Sequence, residues 1–148
     1  MMLLLLPRTN DDWLLNAKST VVFNKDWHKG VVGIVASRLT ENYYRPTIVL
    51  TESNGMAVGS ARSVRGFNVY DAIDKCSDLL VQFGGHFYAA GLTMELDKVP
   101  EFKLKFNQVV ANSITEDMLT PEIEVDVEID FRDIYEEKRG GIPKFYRI

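Results

Sequence analysis

The sequence predicts an α/β domain in layers, with a central mixed β-sheet flanked by helices. Three observations lead there. Short runs rich in β-branched residues read as buried strands. Between them lie stretches whose apolar residues recur every three or four positions, the period of a helix packed on one face. The two kinds of segment alternate along the chain, which is the order of a layered α/β fold. At 148 residues the chain can bury one core and carry an appendage.

Residues 1–18 are read as an N-terminal extension or inter-domain linker. Met1 to Leu6 is apolar, but Pro7 interrupts a run too short to span a membrane, and no basic segment precedes it as in a secretory signal. Residues 19–23 form the first strand. From Gly30 the pattern is helical, with Val31, Ile34, Val35 and Leu39 at core spacing. Gly30, Gly33 and Ser37 make a second stripe of small residues that lets this helix lie close to a sheet or a ligand. Arg45-Pro46 ends it, because the residue before proline avoids the α region.

Residues 47–51 are the second strand, followed by a Ser53-Asn54-Gly55 turn. Residues 57–63 are the third. Its alternation sends Val58, Ser60 and Arg62 to one face and Ala57, Gly59, Ala61 and Ser63 to the other. Asn68 is suited to cap a helix carrying Val69, Ile73, Cys76 and Leu80, with Asp71 at its third position. Phe83-Gly84-Gly85-His86 then precedes a small-residue turn, Ala89-Ala90-Gly91, and residues 92–96 are a further strand. Pro100 sits in the first turn of a last helix that buries Val99, Phe102, Phe106 and Val109. The domain therefore runs over 19–114. Residues 115–148 are a linker and the start of another unit, in which 121–130 alternate as a half-buried strand with an acidic outer face.

One cysteine, Cys76, excludes an internal disulfide framework and fits a reducing cytoplasm. Its helical spacing from Val69 and Ile73 marks a core thiol rather than a nucleophile. A net charge of −4 argues against a whole-surface polyanion binder. The charge is uneven, however. Residues 119–148 hold eight acids against five bases, whereas residues 25–65 hold six bases (Lys25, Lys29, Arg38, Arg45, Arg62, Arg65) against three acids. Phosphate binding would be focused in one place, with few contacts and a shallow salt dependence.

Three segments could supply it. His28-Lys29-Gly30 opens a helix, whose first N–H groups favour an anion, although close packing and a loop cap would explain the same residues. Ser60 and Arg62 share a strand face, and an arginine fork suits phosphate as well as a plain salt bridge. Gly84-Gly85-His86 could present a backbone cradle beside an imidazole, or be a tight turn with a structural histidine. Metal-ligand spacings, a Cys-x-x-Cys pair, a phosphate-binding loop and a serine triad order do not stand out. The pattern is that of a binding module.

In the same order, Asp26-Trp27-His28-Lys29-Gly30 with its continuation to Leu39, Gly59-Ser60-Ala61-Arg62-Ser63 with Gly66-Phe67-Asn68, and Phe83-Gly84-Gly85-His86 with Ala89-Ala90-Gly91 resemble the RecJ single-stranded-DNA-specific exonucleases. The resemblance covers roughly residues 19–112 and corresponds to their DHH-associated substrate-binding domain. It implies the substrate-binding lobe of a 5′→3′ exonuclease that acts on single-stranded DNA in repair and recombination. It also implies a cytoplasmic enzyme with no membrane contact. The catalytic residues and the Mn²⁺ or Mg²⁺ would belong to a separate DHH domain, the lobe's partner in the same chain. The lobe itself would bind no cofactor and be inactive alone. Carried over for the substrate phosphates are Ser60, Arg62 and His86, the Gly84 and Gly85 backbone, and also His28 and Arg38. Residues from Pro121 resemble the first strand of an OB-fold. The competing expectations are a self-contained phosphodiesterase for a small phosphorylated metabolite, with His28 and His86 as acid and base, and an interaction domain that docks a basic partner on its acidic strand.

Overall fold

A computed structural model describes residues 16–126 and residue 128. Five strands and three helices form the domain: β1 (Thr20–Phe23), α1 (Val32–Tyr43), β2 (Thr47–Ser53), β3 (Met56–Arg62), α2 (Val69–Asp74), β4 (Gln82–His86), β5 (Ala89–Glu95) and α3 (Val99–Ser113). The sheet order is β1-β2-β3-β5-β4, so the expected mixed sheet is present. β1 runs parallel to β2, from Thr20 opposite Thr47 to Phe23 opposite Leu50. A parallel pair needs a crossover, and α1 supplies it. The other pairings are antiparallel. β2 and β3 are closed by Asn54 and Gly55 at φ 53° and 76°. Two residues with positive φ make the turn whose twist matches that of the flanking strands.

The two faces of the sheet are covered unequally. On one, Ile48, Leu50, Ala57, Ala61, Leu92 and Met94 pack with α2 (Val69, Ile73) and α3 (Phe102, Phe106, Val110). The Phe102 and Phe106 rings stack with centroids 5.8 Å apart. On the other, Val49 packs with Val32, Val35, Ala36 and Leu39 of α1, flanked by Val22 and Trp27. α1 lies over β2 and β3. Beyond it, Gln82, Gly84 and His86 of β4 and Gly91 of β5 are exposed on this same face. Half of one sheet face is therefore bare.

Several local expectations are corrected. The buried stripe of α1 is Val32, Val35, Ala36, Leu39 and Thr40, while Val31 and Ile34 are 39% and 63% exposed. Ile34 stands two positions from both Val32 and Ala36, about 200° around the helix from each, so it cannot share their face. Ala89-Ala90-Gly91 is not a turn but the start of β5, and the turn is Phe87-Tyr88. Leu79 and Val110 are buried where Leu80 and Val109 were expected. Asn68 does cap α2, its Oδ1 accepting from the Asp71 N–H at 3.2 Å.

Arg45 does not belong to the basic surface. It is buried at the start of β2, with Nε donating to Thr20 Oγ1 and Nη1 to the Ala17 carbonyl, both at 2.7 Å. Burial lowers its pKa. Residues 121–126 form no strand: Ile123 and Val125 are exposed, and Glu122 and Glu124 approach Arg65 at 3.9 and 4.0 Å. An alternating segment becomes a strand only beside a partner, and no described strand lies along this one. The rest of the expected acidic strand, and residues 1–15, fall outside the described residues. No helix among the described residues is long and apolar enough to cross a membrane.

Cys76 is fully buried, and burial pushes its thiol pKa up to about 11. The folded chain thus holds this proton more tightly than the unfolded chain. Its contribution to stability is complete below the ordinary thiol value of 9.0 and is lost as pH rises to about 11. The expected result is no reaction with a thiol reagent at pH 8 until denaturant unfolds the domain. Fast labelling of the native protein would contradict the buried position.

Candidate functional site

Strand alternation and register assemble the site. Ser60 and Arg62 share a face of β3, as the sequence predicts, and that face is the one covered by α1. Ser60 pairs with Gly91, which pairs with Gly84; Arg62 pairs with Ala89, which pairs with His86. Antiparallel partners share a face. Arg62 and His86 therefore stand on one side of the sheet, two strand spacings apart, about 10 Å at the backbone. A groove of about 680 Å³ opens on this side. Ser60, Gly84 and Gly91 lie along its floor, and Lys29, Gly30 and Val32, at the start of α1, form a wall.

The floor is bare for no packing reason. A Cβ built on Gly84 meets nothing within 4 Å, and one on Gly91 meets only the Gly59 carbonyl at 3.9 Å. Gly33 is different. Its Cβ would lie 3.0 Å from Arg62 Nη2 and 3.5 Å from Ser60 Oγ, so α1 passes directly over these two side chains. Of the small-residue stripe, Gly33 serves this approach, whereas a Cβ on Gly30 would meet only the His28 ring.

Arg62 is half-buried, and its Nη1 donates to the Ala61 carbonyl at 2.8 Å. Among the described residues no carboxylate lies within ion-pair reach of it. Arg38 by contrast pairs with Glu41 at 3.0 Å, and Arg65 faces Glu122 and Glu124. Arg38 is exposed on α1 and does not line the groove; His28 is not in its lining either, and Arg62 and His86 stand in the row of the sheet just beyond the Ser60–Gly91–Gly84 floor. A half-buried cation without a counter-ion is costly unless an external anion completes it.

The histidines are both exposed. His28 Nδ1 accepts the Gly30 N–H at 3.0 Å, beside the groove wall, and His86 Nδ1 accepts the Tyr88 N–H at 3.4 Å. With Nδ1 engaged as an acceptor, the neutral tautomer assigned by these bonds carries its proton on Nε2. Each ring then offers a donor, not a free basic nitrogen, which disfavours the acid–base pair.

Gly84 and Gly85 do not form a looped cradle of adjacent amides. Both are in strand β4, where neighbours point to opposite faces. Gly84 belongs to the groove. Gly85 pairs with Ala90 on the core side and has φ 153°; a Cβ there would lie 2.3 Å from the Ala89 carbonyl. Lys29, Gly33 and Gly91 are the positions that a search for phosphate donors undervalues. Gly91 becomes visible once the strand is started at Ala89, because alternation then aligns it with Ser60.

Among the described residues no three His, Cys, Asp or Glu side chains come together as a metal site. The donor set is thus hydroxyl, guanidinium, ammonium and imidazole. It suits an anion.

Residues 16–112 match the DHHA1 domain family. The chain is 44% identical over 122 residues to the single-stranded-DNA-specific exonuclease RecJ of Bacillus subtilis strain 168, covering 81% of this chain and 16% of that protein. The crystal structure of RecJ in complex with Mg²⁺ from Thermus thermophilus matches with a TM-score of 0.59 and 35% identity, over 65% of this chain and 15% of that one. A structure of exonuclease RecJ bound to manganese matches with a TM-score of 0.61 and 31% identity, over 71% of this chain and 28% of that one. The chain thus spans about one-sixth of the Bacillus protein's length. The match to the family covers the whole sheet and all three helices but the last residue of α3, and on that ground the chain belongs to the DHHA1 domain family.

Proposed function

We propose that this chain is the substrate-binding lobe of a RecJ-type 5′→3′ exonuclease, holding the backbone of single-stranded DNA in repair and recombination. The observation that carries the reading is Arg62: a half-buried guanidinium without a carboxylate partner among the described residues, beside Ser60 and next to a glycine floor. A phosphate fits such a place. The planar fork donates two parallel N–H groups to two phosphate oxygens, and the Ser60 hydroxyl donates a third hydrogen bond. Lys29, on the wall at the start of α1, adds charge. His86, two strands from Arg62, offers Nε2–H to a neighbouring phosphate. The bare backbone at Gly84 and Gly91 lets a sugar-phosphate chain approach the sheet closely.

On this reading residues 19–114 are the lobe, and a DHH domain elsewhere in the parent protein carries the Mn²⁺ or Mg²⁺ and the hydrolytic chemistry. This lobe binds and orients. Support for the assignment comes from the RecJ relatives and from a site whose donors all match phosphate.

The test is a titration of the 148-residue chain with a labelled single-stranded oligonucleotide at low salt. Weak binding is expected, with log K falling by about 0.7 per engaged phosphate for each tenfold rise in salt, for one to three phosphates engaged. Gly84→Val is expected to keep the thermal midpoint, because its side chain enters open space, and to weaken binding at least tenfold by filling the floor. Unchanged affinity in that variant would refute the groove as the binding site.

A further inference from the structure

The hairpin joining β4 to β5 carries two aromatic residues at its tip, Phe87 and Tyr88. They are 39% and 46% exposed, and their rings meet edge to face with centroids 4.7 Å apart. Two-residue hairpin loops ordinarily hold Asn, Asp or Gly, as the Asn54-Gly55 loop of this same sheet does. Large rings at such a position contribute little to folding while they face water.

The tip is fixed in place. The Phe87 carbonyl accepts the Val69 N–H and the Tyr88 carbonyl accepts the Ser63 N–H, each at 3.0 Å. The aromatic pair is thus tied to the loop that follows Arg62. The Tyr88 N–H also donates to His86 Nδ1. The rings therefore sit immediately beyond the row Arg62–Ala89–His86, next in line along β5 from the glycine floor.

We infer that Phe87 and Tyr88 form a stacking platform for an unpaired nucleobase of the strand whose phosphate lies at Arg62. The inference rests on the phosphate reading of the groove. Phosphate contacts position a strand but do not touch its bases. An exposed, anchored aromatic face takes any base, because every base has a π-face. In a duplex those faces are already covered by neighbouring pairs, so the platform selects an unpaired strand without reading its sequence.

Two oligonucleotides of equal length separate the platform from the groove, one carrying bases and one wholly abasic. Each is titrated against the 148-residue chain. Phe87→Leu/Tyr88→Leu keeps the apolar bulk and removes the π-faces. Its affinity for the base-bearing strand is expected to fall about tenfold, with no change for the abasic strand. Quenching of a 2-aminopurine in the bound strand is expected to disappear as well. Equal losses on both strands, or no loss on either, would overturn the platform. Failure of the groove reading looks different: Arg62→Ala would then bind the abasic strand as well as the wild-type chain does.

Discussion

Gly85→Ala is expected to lower the stability of the domain by about 2–5 kcal/mol, while Gly84→Ala is expected to change it by less than about 1 kcal/mol. The two glycines are adjacent, so composition cannot distinguish them. Geometry does. At Gly85 a methyl group would press into the Ala89 carbonyl at 2.3 Å and the Ala90 Cα at 2.5 Å, which are backbone atoms of the neighbouring strand. Its φ of 153° is a conformation that a side chain resists. Relief requires β4 to separate from β5, and with it the closing pair His86–Ala89. At Gly84 the methyl enters open groove. Denaturant unfolding of both variants checks the contrast. Equal stabilities would mean that the close approach of β4 to β5 is not as described.

Arg62→Ala carries the largest effect expected on binding: a loss of about 1.5–3 kcal/mol in affinity for a single strand, ten- to more than a hundredfold. Removing the side chain deletes a charge-assisted fork with no described carboxylate partner to compensate. Arg62→Lys is expected to recover only part of the loss, since an ammonium restores charge but not the two parallel donors. Stability should behave in the opposite sense. Taking away a half-buried cation that lacks a counter-ion leaves no orphaned charge behind, so the thermal midpoint is expected to hold or rise slightly. A drop in stability matching the drop in affinity would make Arg62 a structural residue instead.

Much of this arrangement was legible in the chain. The alternation over residues 57–63 places Ser60 and Arg62 on one face, because the inward residues, Ala57 and Ala61, are small and apolar. Within the small-residue stripe Gly33 announces the close pass of α1, and Asn68 with Asp71 announces the start of α2. The Gly84-Gly85 segment was misleading for a physical reason. Glycine and alanine give no β-branched signal, so a strand made of them reads as a turn. That Arg62 and His86 stand in one row, on either side of Ala89, was expected only from the family resemblance and not from the residues themselves. It depends on the order β3-β5-β4, a contact between segments far apart in sequence. Arg45 shows the same limit: its charge suggested surface, but the hydroxyl that satisfies it comes from Thr20 at the start of β1 and the carbonyl from Ala17 just before that strand. The alternating residues from Pro121 show the converse, since periodicity alone does not supply a neighbouring strand.

The seam between β3 and β5 has a consequence for assembly. β2–β3 and β4–β5 are each local hairpins, and neither contains a complete cross-strand row of the proposed binding residues. Ser60 meets Gly91 and Gly84, and Arg62 comes level with His86, only when the two hairpins zip together. The proposed binding surface therefore exists only in the joined halves. A molecule lying across the join acts as a splint, raising the melting temperature in proportion to the logarithm of its concentration once saturating.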